Sequence, residues 1–364
     1  MALISRQAPL QAGVSLVEVM ISMTIGLVIL LAIISMLASS SRTQKEMDQA
    51  SQIVGNGNFA INELYDNLRN AGYFGHYFFN AQSYSGAALP DPCDVSDHAA
   101  LLNALAMPVQ GYAPASLTTR VDFTGTDCAA LLTSANLQPG SDVLVLRRAD
   151  TVALTGAYVA NEIYLQSNVL IAGLRKNDAI THTVQNNAVS AGSVAITQLD
   201  GSPAEIRKLH VDLYFVAPCS VGSGAGGICT SGDDTIPTLK RLELSVSGGA
   251  TAMVVTPLAE GVEYMKLLYG IDNNPSTVDS ATGLIGDGNP DTFVAAPVLT
   301  EWRSVIAVQV HLLVRSPESA LDHVDNKSYL LAGNAIAARN DAFKRHVFSS
   351  EVRLVNLAGP RSTE

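Results

Sequence analysis

The sequence is poor in charge and lacks the short motifs that mark common catalytic sites. Only 15% of its 364 residues are charged, and 33 acidic against 22 basic residues give a formal net charge of −11. This excess of acid argues against a nucleic-acid partner, because most of the surface would repel a phosphate backbone. The chain has no H-E-x-x-H and no G-x-S-x-G, and its seven histidines are scattered, so it shows no zinc-protease or serine-hydrolase signature. We therefore predict a protein that is not an enzyme.

Cysteine is also scarce, and its spacing excludes a common metal site. None of the four cysteines, Cys93, Cys128, Cys219 and Cys229, belongs to a C-x-x-C, and no histidine lies at zinc-finger spacing from a pair, so we expect no structural zinc. An even number of cysteines beyond a membrane segment suggests disulfides in an oxidising compartment. Three connectivities are possible; we expect pairing in sequence order, because each pair then brackets one loop-like stretch. Four reduced thiols in the cytosol are the alternative.

One segment near the start of the chain is apolar and free of charge. Residues 19–38 are twenty positions without a charged side chain, about the length of a helix that spans the ~30 Å hydrocarbon core of a bilayer. A secretory signal would place small residues after the apolar core, whereas Ala12-Gly13 precedes it. A lipoprotein signal would need a cysteine after the glycine, where this chain has Val14. An ordinary membrane anchor would leave Glu18 unexplained.

The residues in front of this run resemble a processing signal. Gly13-Val-Ser-Leu-Val-Glu18, followed by the apolar segment, is similar to the class III signal of type IV pilins and type II secretion pseudopilins. The resemblance implies that a prepilin peptidase cuts between Gly13 and Val14 on the cytoplasmic side and that Val14 is then N-methylated. The chain departs from the commonest form in three ways: Val14 replaces phenylalanine, no basic residue directly precedes Gly13, and the apolar run lacks a mid-segment proline.

An acid at the start of a membrane helix needs a partner. A lone carboxylate in hydrocarbon costs about 2.5–3.5 kcal/mol or more unless it is paired or protonated. Cleavage after Gly13 would create a positive amine at Val14. In a stack of helices, Glu18 of one subunit could pair with that amine of a neighbour, which removes two uncompensated charges at once. The alternative is an interfacial acid that reaches towards the lipid headgroups.

After Ser41 the chain turns polar but keeps a helical period. Its apolar and small residues recur every three or four positions and predict one buried face: Met47, Ala50, Val54, Gly57, Ile61, Leu64 and Leu68. We expect this face to pack on the protein's own domain, with a coiled-coil seam as the alternative. Gly55 and Gly57 each cost on the order of 1 kcal/mol inside a helix, which predicts a break there. Ala71-Gly72 predicts the end of the helix.

Further along the chain the period changes to that of a strand. Two runs alternate strictly, with these apolar faces: Leu209, Val211, Leu213 and Phe215, and then Ile306, Val308, Val310, Leu312 and Val314. His210 and His311 fall on the opposite, polar faces, where we expect ordinary surface positions. Further strands are predicted at 142–147, 162–170, 238–246, 262–269 and 346–357. The expected fold is α+β, with a long N-terminal helix packed on a mostly antiparallel β domain.

Two motifs in the β domain suggest ligands but are better explained without them. GSGAGG at residues 222–227 matches G-x-G-x-x-G, yet the next segment predicts a strand and not a phosphate-binding helix, so we interpret it as a disulfide-closed hairpin loop. GDGNPD places Asp287, Asn289 and Asp291 at alternate positions, as at the start of a calcium loop. Thr292 and Val298 stand where an EF-hand needs glycine and glutamate. We expect a solvated acidic loop and no cofactor, with calcium as the alternative.

Six segments that follow the N-terminal signal in order resemble the PilW family of minor pilins. They are LRNAGYFG (68–75), SDVLVLRRAD (141–150), LYFVAP (213–218), EGVEYMKLLYGID (260–272), EWRSVIAVQVHLLVRS (301–316) and RHVFSSEVRLVN (345–356). The resemblance implies a cleaved leader at 1–13, a transmembrane and filament-core helix at 14–40, a periplasmic continuation of that helix at 41–72, and a periplasmic β-rich domain at 73–364.

The same resemblance implies a function in assembly. Such subunits sit in the bacterial inner membrane with the C-terminal domain in the periplasm, and later at the pilus tip on the cell surface. They join other minor pilins and the major pilin, prime pilus assembly and help to present a tip adhesin, which supports adhesion and twitching motility. A type II secretion minor pseudopilin shares this architecture and is the first alternative. A membrane-anchored periplasmic enzyme or binding protein with a pilin-like start is the second.

Overall fold

The α+β prediction is confirmed by a computed structural model, which describes residues 13–78, 84, 86–185, 188–192, 194–273, 288–320 and 323–358. One long helix, α1 (Leu16–Asn70), precedes a domain of antiparallel sheets. The chain divides into two compact units, Met1–Ser51 and Gln52–Glu364.

The first part of α1, up to Ser51, begins with a segment that is apolar on all sides, residues 19–38, and continues as a polar segment. Residues 13–48 are exposed, and the helix is long and apolar enough to cross a membrane. Its hydroxyl groups donate to carbonyl oxygens three residues earlier: Ser22 Oγ to Val19 O at 2.9 Å and Ser35 Oγ to Ala32 O at 2.8 Å. These hydroxyls therefore need no water in a hydrocarbon environment.

The second part of α1, from Gln52 to Asn70, buries one face in the second unit. Its buried apolar residues are Ile53, Ala60, Leu64 and Leu68. The sequence prediction is correct at Leu64 and Leu68. It is wrong at Met47 and Ala50, which are exposed, and at Val54, which is 50% exposed while its neighbour Ile53 is buried. A pattern of spacings alone did not distinguish these two adjacent positions.

Neither glycine breaks α1. The helix runs without interruption through Gly55 and Gly57, so the predicted break is wrong. An ideal Cβ at Gly57 would lie 2.3 Å from the ring of Phe348, whereas one at Gly55 would meet nothing within 4 Å. Gly57 therefore allows a strand to approach the helix closely. The helix ends where predicted, after Asn70, and Gly72 follows with a φ of +77°, which glycine adopts without a Cβ penalty.

The main sheet has nine antiparallel strands. They are β1 (Val109–Tyr112), β2 (Val143–Ala149), β3 (Ile163–Ser167), β4 (Ile171–Lys176), β5 (Ala179–Gln185), β6 (Ala188–Ala191), β7 (Ile206–Ala217), β8 (Thr238–Ser247) and β9 (Ala250–Glu260). The path is β1-β2-β7-β3-β4-β5-β6, and β8 pairs with both β7 and β9. The long strand β7 is thus the centre of the sheet.

Strand β7 is buried on both faces. Leu209, Leu213 and their neighbours pack in one core with α2 (His98–Ala104). Tyr214 and Val216 pack in a second core that contains the buried face of α1. The expectation of a surface position is therefore wrong for His210, whose side chain is 19% exposed. The reason is that α1 covers the side of the sheet that alternation assigned to solvent.

A second sheet completes the core around α1. Its order is β11-β10-β12-β15, formed by β10 (Val262–Ile271), β11 (Thr292–Val294), β12 (Val305–Arg315) and β15 (Arg345–Arg353). Its inner apolar side chains join the same core as α1. On its outer face lies the hairpin of β13 (Tyr329–Leu331) and β14 (Asn334–Ile336). A short helix, α3 (Val355–Ala358), follows β15.

Two predicted strands were too long. The stretch 162–170 contains β3 and then a turn, in which Asn168 Oδ1 accepts the N–H groups of Leu170 and Ile171 at 2.8 and 2.7 Å. The stretch 346–357 contains most of β15 and then α3. In the first case a side chain replaces the ladder hydrogen bonds and turns the chain, which is a common role of asparagine.

Candidate assembly site

The N-terminal end of α1 carries the residues of the expected processing signal. Gly13, Val14 and Glu18 are all exposed, and residues 1–12 of the expected leader lie outside the described part of the chain. The N–H of Ser15 donates to Glu18 Oε2 at 3.4 Å, and Ser15 O accepts the N–H of Glu18 at 3.0 Å. Ser15 and Glu18 thus form half of a capping box, which the spacing S-x-x-E could have revealed in the sequence. Cleavage and methylation at Val14 stay predictions.

In the second unit, α1 is held on the main sheet by polar contacts as well as by its apolar face. Glu63 lies 3.2 Å from Arg241 Nη1 on β8. Asn67 Oδ1 accepts Nε and Nη2 of Arg148 on β2, at 3.2 and 3.0 Å. Asn56 Nδ2 donates to the carbonyl of Glu260 at 3.0 Å. These contacts fix the rotation of the helix about its axis, which an apolar face alone would leave less defined.

Two buried ionisable groups lie on the same side of β7. Burial raises the pKa of Asp212 to about 6, although Arg241 and Arg148 are close to it. Burial also lowers the pKa of His210 to about 4, and Arg148 adds to this effect; Asp150, 3.7 Å from Nε2, opposes it. Both groups are therefore held near their neutral forms at mildly acidic pH.

The two sheets are joined by a buried ion pair. Lys266 Nζ on β10 lies 2.5 Å from Asp142 Oδ1 at the start of β2. Asp142 Oδ2 also accepts the N–H of Leu267 at 2.8 Å. Burial raises the pKa of Asp142 to about 6, while Lys266 acts in the opposite direction. A pair of this kind fixes the position of one sheet against the other, because loss of either partner leaves a buried charge.

A second buried cluster lies on the outer side of the second sheet. The guanidinium of Arg345 is 1% exposed and contacts three carboxylates, Glu263 at 2.6 Å, Asp325 at 2.9 Å and Asp341 at 2.7 Å. Tyr329 Oη also donates to Asp325 at 3.0 Å. The cluster holds the segment between β12 and β15 against the sheet. Sequence reasoning missed it because its members are far apart in the chain.

The structure contains disulfides Cys93–Cys128 and Cys219–Cys229, the pairing expected from sequence order. Asp91 lies beside the first disulfide and accepts the N–H of Cys93 at 2.9 Å. A carboxylate and two sulfurs could suggest a metal site. Both sulfurs are already bonded to each other, however, and thiolate is the form that binds metals. The cluster is therefore not a metal centre.

The two ligand-like motifs do not acquire a ligand site from the fold. Residues 222–227 lie in the connection between antiparallel strands β7 and β8, inside the loop that Cys219–Cys229 closes, so the hairpin interpretation is confirmed. Asp287 lies outside the described residues. Asn289 and Asp291 are described, and Asp291 Oδ2 accepts the N–H of Asn273 at 3.0 Å. Calcium at this loop stays a prediction.

Comparison with known proteins gives matches at both ends of the chain. Residues 214–356 match the family model described as type IV pilus-assembly protein W, PilW. Residues 9–34 match the prokaryotic N-terminal methylation motif. The chain therefore resembles PilW over residues 214–356 and prepilin-like proteins at its N-terminus, and the two matches together support a PilW-like pilin. No curated protein and no solved structure matched it.

The matched regions coincide with the structural features described above. The PilW match runs from the second half of β7 to α3, and so includes the second sheet, the Arg345 cluster and the Cys219–Cys229 loop. The methylation match covers Gly13, Val14, Glu18 and the apolar part of α1. The PilW family is structural rather than catalytic and belongs to type IV pilus assembly. The methylation motif and the apolar helix of this chain fit a membrane-anchored pilin.

Proposed function

We propose that this PilW-like pilin is a minor pilin that primes type IV pilus assembly and stays near the pilus tip, where it helps to present an adhesin. The observation that carries the proposal is the first part of α1. Its residues 13–48 are exposed, it is long and apolar enough to span a bilayer, and it begins beside Gly13 and Glu18. Such a surface needs lipid before assembly and other apolar helices afterwards.

The size of the second unit favours a minor subunit. It contains a nine-stranded and a four-stranded sheet, which is a large domain for a subunit that must stack many times in a filament. A bulky domain tolerates such repetition poorly. A place at or near the end of the filament removes this restriction, since only one side of the subunit then has to accept neighbours.

The charges at the start of α1 support assembly through pairing between subunits. After cleavage behind Gly13, Val14 would carry a positive amine and Glu18 a negative charge four residues later. In the single chain, the Glu18 carboxylate accepts the N–H of Ser15 at 3.4 Å, a long hydrogen bond from an uncharged donor. A neighbour's amine would be a stronger, charge-assisted partner. We propose that this pairing sets the register of one helix against the next.

The disulfides support a periplasmic domain. Both lie in the second unit, and disulfides persist in oxidising compartments such as the periplasm. We therefore propose that the domain is periplasmic before assembly and lies on the cell surface afterwards. Prepilin peptidase, the other minor pilins, the major pilin and an adhesin are the partners that this route requires.

Processing can be tested on the protein purified from membranes. Mass spectrometry should find a chain that begins at Val14 with a methylated amine. A Gly13→Val variant should keep residues 1–13, because the bulkier side chain would replace the glycine of the signal. An intact leader in the wild-type protein would contradict the proposal.

Assembly can be tested with a charge variant and a matched control. Glu18→Ala should lower incorporation into pili at least tenfold, because it leaves the amine of the neighbour without its counter-charge at a cost of about 2.5–3.5 kcal/mol. Asp48→Ala removes an exposed acid from the same helix and should have no effect. Pili are counted by microscopy and the protein is detected in sheared fractions. Normal incorporation of Glu18→Ala would rule out the pairing.

The alternative of a secretion system can be separated by its partners. Crosslinking in intact membranes followed by purification of the full chain should yield other minor pilins and the major pilin. Recovery of type II secretion subunits instead would identify a pseudopilin. A chain that crosslinks to neither set would favour a membrane-anchored protein outside both machines.

A further inference from the structure

The second disulfide lies against a buried lysine. Lys240 on β8 is 1% exposed, and its Nζ lies 3.6 Å from Cys219 Sγ and 3.7 Å from Cys229 Sγ. In the β7–β8 ladder Lys240 is opposite Phe215, and directly paired residues share one face of a sheet. The ammonium group is therefore directed into the core that contains both sulfurs.

The surroundings of Lys240 provide charge but no close carboxylate among the described residues. Asp233 and Asp234 raise the pKa of Lys240, while burial, the larger effect, lowers it. Both carboxylates are occupied elsewhere: Asp233 accepts the N–H groups of Ser223 and Thr230, and Asp234 accepts Ser220. Among the described residues, the hydrogen-bond contacts of the ammonium are the two sulfurs, which are weak acceptors as a disulfide. A thiolate at either position would be a much better partner.

We propose that Cys219–Cys229 is a thiol–disulfide exchange site and that Lys240 promotes its opening by a dithiol reductant. A thiolate of the reductant attacks Cys229 Sγ, the S–S bond breaks, and Cys219 leaves as a thiolate beside the Lys240 ammonium. The second thiol of the reductant, once deprotonated, then attacks the mixed disulfide and releases Cys229. The protein disulfide gains two electrons and the reductant is oxidised to its own disulfide. A leaving thiolate stabilised by a cation departs faster.

The other disulfide of the same chain is a natural control, because its charged neighbour has the opposite sign. Asp91 Oδ1 lies 3.8 Å from Cys128 Sγ, and a carboxylate disfavours a nearby thiolate. The two disulfides are about equally buried, so a reductant reaches them to a similar extent. Cys93 and Cys128 are 5% and 0% exposed, and Cys219 and Cys229 are 1% and 6% exposed. A difference in their reactivity would therefore report on charge.

The test uses the full-length protein in detergent with dithiothreitol as the reductant. Samples are quenched with iodoacetamide at intervals, and mass spectrometry quantifies the alkylation of each cysteine. In the wild-type protein, Cys219–Cys229 should open at least tenfold faster than Cys93–Cys128. Lys240→Met should slow its opening at least tenfold, whereas Lys240→Arg should preserve most of the rate. Equal rates for the two wild-type disulfides would overturn the proposal.

A second measurement separates charge from stability. Destabilisation accelerates reduction of a buried disulfide, so a slower reaction in Lys240→Met cannot arise from partial unfolding. Lys266→Met removes another buried lysine, whose ammonium pairs with Asp142, and should not slow the reaction. In the reduced protein, the pH midpoint of alkylation at Cys219 should lie about one pH unit lower in wild type than in Lys240→Met, a tenfold change in thiolate. Identical midpoints would also overturn the proposal.

Discussion

The two parts of α1 have the same secondary structure but opposite surroundings. In the first unit, residues 13–48 are exposed and apolar over the membrane-spanning stretch. In the second unit, Ile53, Ala60, Leu64 and Leu68 are buried by the chain's own sheets. One part thus depends on lipid or other subunits for its stability, and the other depends on the domain that it helps to build.

The difference shows that one helix can follow two rules of side-chain placement. A helix that is apolar all round is suited to a membrane or to the core of an assembly, whereas one apolar stripe is suited to packing on a domain. Mutations in the first part should therefore change assembly, and mutations in the second part should change folding. The four predictions below test this division, beginning with the largest expected effect.

Truncation of a leucine should lower the stability of the domain in the second part of α1 but not in the first, and this is the largest difference that we expect. Leu64 is 0% exposed, and Leu64→Ala should lower the free energy of unfolding of the domain by about 2–5 kcal/mol, because it leaves a cavity between α1 and the sheets. Leu30 is 56% exposed, so Leu30→Ala should change that free energy by less than about 0.5 kcal/mol. Denaturant unfolding of both variants in detergent measures the contrast. Equal effects would contradict it.

Acid should weaken the domain through His210. Its pKa is lowered to about 4 in the folded protein, against about 6.5 in an unfolded chain. The native state therefore binds fewer protons between these values, and the stability that His210 contributes above pH 6.5 is lost as pH falls towards 4, by about 2–3 kcal/mol.

The raised pKa of Asp212, about 6, acts in the opposite direction, because the folded protein holds a proton that the unfolded chain releases between pH 4 and 6. Unfolding measured from pH 7 to pH 4 should thus show less acid sensitivity in His210→Gln and more in Asp212→Asn. The same trend in both variants would show that these two groups do not control the pH dependence.

Gly57 should not tolerate a side chain. A Cβ there would meet the ring of Phe348 at 2.3 Å, and overpacking of this kind costs about 1–3 kcal/mol. The gain in helix propensity offsets about 1 kcal/mol of this cost, so Gly57→Ala should destabilise the domain by up to about 2 kcal/mol. The double variant Gly57→Ala, Phe348→Leu should recover part of this loss. If Phe348→Leu lowers the stability of the Gly57→Ala variant further, the clash with the Phe348 ring is not the cause of the loss.

Gly55 is the matched position with the opposite expectation. A Cβ would meet nothing within 4 Å, so Gly55→Ala should stabilise the domain by about 0.5–1 kcal/mol through helix propensity alone. Thermal unfolding is sensitive enough to detect this gain. A loss of stability would mean that Gly55 has a packing role that the single chain does not show.

The sequence predicted what depends on local pattern and missed what depends on distant residues. The membrane helix, its end near Gly72, the strand β7 and the loop closed by Cys219–Cys229 all follow from period, glycine and cysteine spacing. The sequence predicts a helix break at Gly57, because the residue that explains this glycine, Phe348, is far away in the chain. His210 was placed at the surface because alternation within one strand cannot show that α1 covers the second face.

The residues of the candidate sites also divide into those that the sequence predicts and those that depend on distant contacts. Gly13, Val14 and Glu18 are adjacent in sequence and were recognised from a resemblance, and the capping contact between Ser15 and Glu18 was available from their spacing. Lys240 gave no signal, since a lysine in a strand next to a cysteine loop is normally expected at the surface. Only the pairing of β7 with β8 brings its ammonium group to the disulfide.

The close approach of Phe348 to Gly57 also sets an order of events during folding. In a chain that is synthesised from its N-terminus, α1 is complete long before β15, and the three carboxylates around Arg345 likewise lack their partner until that strand is made. Until then the buried face of α1 lacks part of its cover, and its apolar residues are open to other proteins. The buried face of α1 is thus completed by residues close to the other end of the domain's chain, so the domain reaches its final packing only when its last strand is in place.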